Sequence, residues 1–356
     1  MLKINPLSTL YVGIDVSSKS NYICVLDFFK NKYINSSFAN NQPGAEELAL
    51  KILECLNQHP DLTMVVAALE STSVYSIHIA NYLSSCEELM RFKPYVFVLN
   101  PKCTANYKKS YIGLGKSDPI DAFVIADYAR AGNIESEPWR GSQFLALKCL
   151  TRHRLHLVEC MTREKTYLIS NLYLKFSELQ MLEGDDQPFC DIYGATSSSV
   201  LMEYLSPEEI LASSEENLIA FLAEKSCNRI KDISKTADLL KKAARDSYRL
   251  DKALYEPLNV SIASSFNCIE TFKREIKVID NAIEKEIKGL NPNAFIILQS
   301  IDGIGPVFAG GIIAEIGDIT AFHSSDALAK YAGLTWKSNQ SGDFYGEDTP
   351  MIKAGN

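Results

Sequence analysis

The sequence predicts an α/β domain followed by one long helix and a helical remainder. Three observations carry that reading. Short apolar runs ending in carboxylates alternate with amphipathic stretches over about residues 8–140. Ser142 to Glu183 contains no Gly or Pro and carries an apolar stripe at helical spacing. Further on, Ile269, Phe272, Ile276, Ile279, Ile283 and Ile287 form a heptad-like series.

At 356 residues the chain has room for two or three domains and a sizeable core. Its 46% hydrophobic and 22% charged shares are those of a soluble globular protein. Met1 to Leu10 lacks the order of a signal peptide. The best candidate for a membrane span, Val307 to Ala314, is too short and is followed by Glu315. Nine cysteines without a C-x-x-C motif read as reduced thiols of a cytoplasmic protein, not as a disulfide framework or zinc site. A net charge of −8 argues against non-specific coating of nucleic acid, while leaving room for local basic surfaces.

Tyr11 to Asp27 reads as strand, polar turn, strand, with Asp15 near the end of the first strand. There it serves either as a sheet-edge site residue or as a turn-initiating Asp. Asn31 to Ala39 fits a third strand, and Gly44 to Asn57 an amphipathic helix. Leu62 to Leu69 is the continuous apolar run of a strand covered on both faces. It exits into Glu70, which either belongs to a site or simply reaches solvent. A helix over Thr72 to Leu83 and a buried strand over Pro94 to Leu99 follow. Asn100-Pro101 then opens a loop holding Lys102, Lys108, Lys109 and Lys116 with no acid among them.

That basic stretch runs into Gly115-Lys116-Ser117-Asp118-Pro119-Ile120-Asp121-Ala122. Asp118 suits a helix N-cap and Pro119 the first helical position. Asp118 and Asp121 then share one helical face, about one turn apart. Two carboxylates so placed repel unless a cation lies between them, and a divalent metal is the usual one. The alternative is ordinary capping chemistry. Strands followed by helices, with carboxylates at strand ends, point to a ribonuclease-H-like domain.

In the long helix, Lys148, Arg152, Arg154, Arg163 and Lys165 punctuate the apolar stripe. They serve a solvated face on a dimerisation arm or contacts to nucleic acid. A loop over Gly184 to Ser199 precedes predicted helices at Ser206 to Ala223, Asp232 to Leu250 and Ile262 to Ile287. Leu298 to Gly305, with Gly303-Ile304-Gly305 before Val307 to Ile316, has a helix-hairpin-helix pattern. Such glycines let a phosphate approach a helix N-terminus, or simply make a tight αα-turn.

Taken together, GIDVS around Asp15, ALESTSVY around Glu70 and KSDPIDA around Asp118 and Asp121 resemble, in order and spacing, the DEDD transposases of the bridge-RNA insertion sequences, relatives of the pilin-gene invertases. LQSIDGIGPVFAGGIIAEIGDITAF, AKYAGL and QSG are similar to that family's C-terminal domain. Ser73 stands where a Gly is more usual, and Asp302 where a Pro is usual. The family runs on past the point matched by Lys353-Ala354-Gly355-Asn356, so a shortened or degenerate copy is expected.

The resemblance implies a RuvC-like DEDD domain over 1–141, a coiled-coil linker over 142–183, a helical scaffold over 184–290 and a transposase C-terminal domain over 291–356. It places the metal-binding, catalytic carboxylates on Asp15, Glu70, Asp118 and Asp121, and the nucleophile on Ser341. Mg²⁺ is the implied cofactor. DNA donor and target, a bridge RNA and a homo-oligomer are the implied partners, with no membrane. Contacts to nucleic acid are expected from Lys102, Lys108, Lys109, Lys116, Arg152, Arg154, Gly303 and Gly305. Three other readings compete. A water-using RuvC-like nuclease needs no Ser341, and a non-enzymatic nucleic-acid-binding protein needs only the glycine hairpin. A sugar-kinase-like ATPase lacks its second phosphate turn.

Overall fold

The computed structural model describes residues 4–134, 137–139, 141–317, 319–336, 340–341, 344–346 and 351. Its chain divides into two units, Met1–Ala146 with Gly317–Asn356, and Leu147–Ile316.

In the first unit a mixed five-stranded sheet is built on β1 (Thr9–Val16), with β2 (Ser20–Leu26), β3 (Lys32–Ala39), β4 (Met64–Glu70) and β5 (Tyr95–Leu99), in the order β3-β2-β1-β4-β5. The polar turn after Val16 returns the chain antiparallel, so β1 pairs with β2 through Asp15↔Tyr22. On its other side β1 runs parallel to β4, and β4 parallel to β5. Helices cover both faces of the parallel strands, which is why these strands read as nearly continuous apolar runs. Leu10, Val12 and Ile14 pack against Leu48, Ile52, Ile79 and Leu83. Those residues come from α1 (Gln42–Gln58) and α2 (Tyr75–Ser85), which a short α3 (Glu87–Met90) follows. Each such buried aliphatic side chain contributes about 2 kcal/mol.

On the opposite face, Tyr11, Val66 and Ala68 meet Ala122, Ile125, Ala126 and Ala129. These last four belong to α5 (Asp118–Arg130), which follows α4 (Pro101–Lys108). The stretch expected as a basic loop is therefore partly a helix. Asn100 caps α4 by accepting from the Lys102 N–H at 2.9 Å, and Pro101 occupies the first turn. The cap of α5 also falls one residue earlier than expected. Ser117 is the N-cap, and Asp118 joins Asp121 in the first turn.

The second unit is helical. It contains most of α6 (Ser142–Lys175), then α7 (Ala195–Glu203), α8 (Pro207–Ala212), α9 (Glu215–Ser226), α10 (Ile233–Asp246), α11 (Lys252–Leu290), α12 (Pro292–Gln299) and α13 (Pro306–Ile316). Leu168, Leu172 and Phe176 pack with Leu218, Leu222, Leu240, Phe266 and Ile269. The long helix stops at Lys175, short of the expected Glu183, and a 3₁₀ turn over Ser177–Gln180 follows. Lys175 is buried there, with its ammonium donating to the Leu201 carbonyl and Asn259 Oδ1, both at 2.6 Å. Burial lowers its pKa to about 8. The single helix expected over Ser206 to Ala223 is two, because Ser214 caps a fresh helix by accepting from the Asn217 N–H. Within the expected loop at Gly184 to Ser199, α7 begins at Ala195.

Two adjacent glycines on α13 differ sharply. A Cβ on Gly310 would lie 2.6 Å from Ile283 Cγ2 of α11, whereas one on Gly311 meets nothing within 4 Å. Gly310→Ala should cost about 1–3 kcal/mol by overpacking. Gly311→Ala should gain about 1 kcal/mol from helix propensity. Urea midpoints of the two variants check this, and shifts of the same sign would contradict the seating of α13 on α11.

The first unit also contains α14 (Ser325–Tyr331) and an antiparallel pair of two-residue strands, β6 (Gln340–Ser341) and β7 (Phe344–Tyr345).

Candidate active site

Pleating decides which strand residues face α5. Side chains alternate along a strand, so Asp15 shares the face of Tyr11 and Gly13, and Glu70 that of Val66 and Ala68. Ile14 is in register with Leu69, so Asp15 and Glu70 follow side by side at the carboxyl ends of neighbouring parallel strands. Helix α5 supplies the other two carboxylates. It approaches β1 so closely that a Cβ on Gly13 would lie 2.2 Å from the Ala122 carbonyl oxygen and 2.3 Å from the Ala126 nitrogen. That contact sets the first turn of α5, with Asp118 and Asp121, over the end of β1.

The charges feel one another. Partial burial, followed by repulsion from Asp121, Asp118 and Glu70, raises the Asp15 pKa to about 6, against a lowering pull from Lys108. Helix α4 faces this cluster with two side chains four residues apart. The buried Thr104 hydroxyl donates to Glu70, and the Lys108 ammonium to Asp121.

Behind the cluster lies a carboxylate that the motif reading passes over. Asp127 is fully buried and receives hydrogen bonds from Tyr111, Tyr107 (2.9 Å), Arg130 (2.6 Å) and Lys30 (3.3 Å). Burial alone would push its pKa up, but these donors outweigh burial and hold it below the ordinary value. Tyr107 and Tyr111 thereby fasten α4 and the residues after it to α5. The signal was present in the sequence: an Asp inside the apolar run of α5, and paired Thr/Lys and Tyr/Tyr residues at i, i+4 spacing.

Could these residues hold a metal? Among the described residues no three His, Cys, Asp or Glu groups converge closely enough to hold an ion as they stand. The donor set nevertheless suits a hard divalent cation, since Asp15, Glu70, Asp118 and Asp121 offer only carboxylate oxygens. Their mutual repulsion, and the ammonium already drawn to Asp121, mark a place where positive charge is favoured.

The lysine and arginine candidates for nucleic-acid contact fall into two groups, exposed and ion-paired, and Lys108, held on Asp121, belongs to the second. Lys102, Lys109 and Lys116 are exposed on α4 and the segment after it, although Lys109 also donates to Asn106. Arg152 binds Glu315 through two nitrogens at 2.8 and 3.1 Å, and Arg154 pairs with Asp280. Lys148 shares Glu315 at 2.7 Å. These cations tie α6 to α13 and α11 within the helical unit. Between α12 and α13 the turn closes with the Ile304 N–H on the Ile301 carbonyl, and Gly303 has φ +90°. Gly303 is exposed and Gly305 half-buried. The Ser341 backbone lies in β6, while its side chain falls outside the described residues.

The same segments match known families. A DEDD-type family model described as a transposase matches residues 12–177. A second, described as the transposase IS116/IS110/IS902 family, matches residues 296–356. The sheet with its carboxylates, joined to that C-terminal segment, defines the class: a transposase, an enzyme of DNA recombination. The chain belongs to the IS110 family of transposases. It is 25% identical to the insertion element IS900 uncharacterized 42 kDa protein of Mycobacterium paratuberculosis, over 95% of this chain and 79% of that protein. It is 23% identical to the insertion element IS116 uncharacterized 44.8 kDa protein of Streptomyces clavuligerus, over 94% and 77%. With the pilin gene-inverting protein of Moraxella lacunata it shares 26% identity over 45% of this chain and 46% of that protein. A DEDD transposase domain implies dependence on divalent metal and action on DNA. Among the described residues no helix is long and apolar enough to cross a membrane.

Proposed function

We propose that this enzyme cleaves and rejoins DNA through a serine nucleophile at a RuvC-like, carboxylate-bound Mg²⁺ site, directed by a bridge RNA. One observation carries the metal half of the reading. Asp15 and Glu70 end neighbouring parallel strands, and the close seat of α5 on Gly13 brings Asp118 and Asp121 to the same end, where the charges repel one another. The mixed sheet with carboxylates at strand ends supports the ribonuclease-H-like assignment.

Asp15, Glu70, Asp118 and Asp121 would hold the metal, which supplies charge stabilisation to a phosphate undergoing displacement. Ser341 is the family's nucleophile. Its Oγ attacks phosphorus and loses its proton, while the P–O3′ bond breaks and the departing 3′ oxygen takes one up. The products are a 5′-phosphoserine link and a free 3′-OH. A covalent link of this kind conserves the phosphodiester energy for rejoining. A strand-cleavage assay with guide RNA and Mg²⁺, resolved on denaturing protein gels, tests this. The expected result is a DNA-linked adduct that Ser341→Ala abolishes; cleavage surviving that substitution would select a water-using nuclease instead.

Protons and metal should compete at Asp15. Its raised pKa means that the free site takes up a proton as pH falls through about 6. Divalent-metal affinity should then fall about tenfold per pH unit below that point. Calorimetric titrations with Mg²⁺ from pH 5 to 7.5 check this, and a flat profile would place Asp15 outside the metal site.

Lys102, Lys109, Lys116, Gly303 and Gly305 are the exposed or half-buried candidates for nucleic-acid backbone contacts. Arg152 and Arg154 would have to exchange their carboxylate partners to join them. The functional divisions follow the motifs, with 1–141 catalytic, 142–183 linking, 184–290 scaffolding and 291–356 bearing the serine. The active form is a homo-oligomer. Cysteines that are all free fit the reducing cytoplasm.

A further inference from the structure

Helix α4 places a lysine where the carboxylates call for a cation. Thr104 and Lys108 stand four residues apart on this helix, so they project from one face. Thr104 touches Glu70, and Lys108 touches Asp121. The Lys108 side chain is three-quarters covered (22% exposed), as is that of Asp121 (25%), so water screens the pair only partly. Helix α4 is itself anchored by Tyr107 and by Tyr111 beyond its end, both on Asp127.

We propose that Lys108 is a tethered counter-ion that occupies the carboxylate site of the free enzyme and must leave Asp121 for a divalent metal to bind. The inference rests on the metal reading of Asp15, Glu70, Asp118 and Asp121. An ammonium and a metal ion draw on the same oxygens of Asp121, so each weakens binding of the other. Lys108 is thus a positioning residue. It holds Asp121 and offsets repulsion while metal is absent, and its release accompanies metal entry.

The test uses the full chain without nucleic acid, with Mn²⁺ as probe, and reads free Mn²⁺ by electron paramagnetic resonance. Lys108→Met keeps the side-chain length and removes the charge. It should bind Mn²⁺ about tenfold more tightly than the parent. Lys108→Arg keeps the charge and should stay near the parent value. Lys51→Met, which removes a charge on α1 paired with Glu47, should leave the affinity unchanged. Thermal melting gives a second readout. Lys108→Met should melt lower than the parent without metal, and saturating Mn²⁺ should close the gap. Equal or weaker Mn²⁺ binding by Lys108→Met would overturn the proposal. If Asp118→Asn still abolished binding by the parent chain, the carboxylate reading would survive that result. Absence of Mn²⁺ binding by the parent itself would overturn both.

Discussion

Gly13→Ala is expected to unseat α5 and silence the enzyme. A Cβ at Gly13 would sit 2.2 and 2.3 Å from two backbone atoms of α5, which no rotamer change can move aside. The helix must retreat by roughly an ångström to restore van der Waals contact, opening the interface that Tyr11, Ala122 and Ala126 fill. The cost should reach about 3 kcal/mol or more, the upper end for overpacking. Asp118 and Asp121 would move with the helix, and displacement on this scale at reacting groups costs on the order of 10²-fold in rate. Urea unfolding and strand cleavage measure the two effects. Gly115→Ala, at a position with nothing within 4 Å, should leave stability unchanged. A Gly13→Ala protein as stable and active as its parent would refute this seating of α5.

The second large effect is chemical. Asp118→Asn should abolish metal-dependent cleavage, by on the order of 10³-fold, because the site loses an anionic oxygen ligand. Its effect on folding should run the other way. Asp118 is exposed, and its charge raises the pKa of Asp15, so neutralising it relieves repulsion in the metal-free protein. The melting temperature without metal should therefore hold or rise slightly while activity vanishes. Normal cleavage by this variant would remove Asp118 from the site, and a large drop in melting temperature would recast it as a structural residue.

Much of the first unit was legible from local patterns. Leu62 to Leu69 read as a buried strand because both of its faces are covered, and the carboxylate motifs stood out because strand ends and helix starts are local features. The misreadings have physical causes. Four lysines without an acid looked like a loop, but Asn100 and Pro101 nucleate α4 regardless of that charge. The break at Ser213-Ser214 was hidden because a cap competes with helix propensity over only one or two residues. Thr104, Lys108 and Asp127 were missed as a set because most of their partners are distant in sequence: Glu70 is 34 positions from Thr104, Asp121 is 13 from Lys108, and Lys30 is 97 from Asp127. Two departures from the family pattern, by contrast, acquire a reason. Ser73 has φ +50°, a conformation that favours Gly. Asp302 precedes Gly303 in a turn closed from Ile304 to Ile301, where Pro fits the second position.

The carboxylate cluster also has an electrical consequence. Four carboxylates and one ammonium leave a net negative charge at one end of the sheet. DNA is itself a polyanion, and at physiological salt such a cluster repels a phosphate within a Debye length of about 8 Å. Loading should thus be ordered, with the cation admitted before the DNA phosphate settles. Stopped-flow mixing would reveal this order: protein premixed with Mg²⁺ should engage DNA faster than protein that meets both together, and equal rates would argue against it.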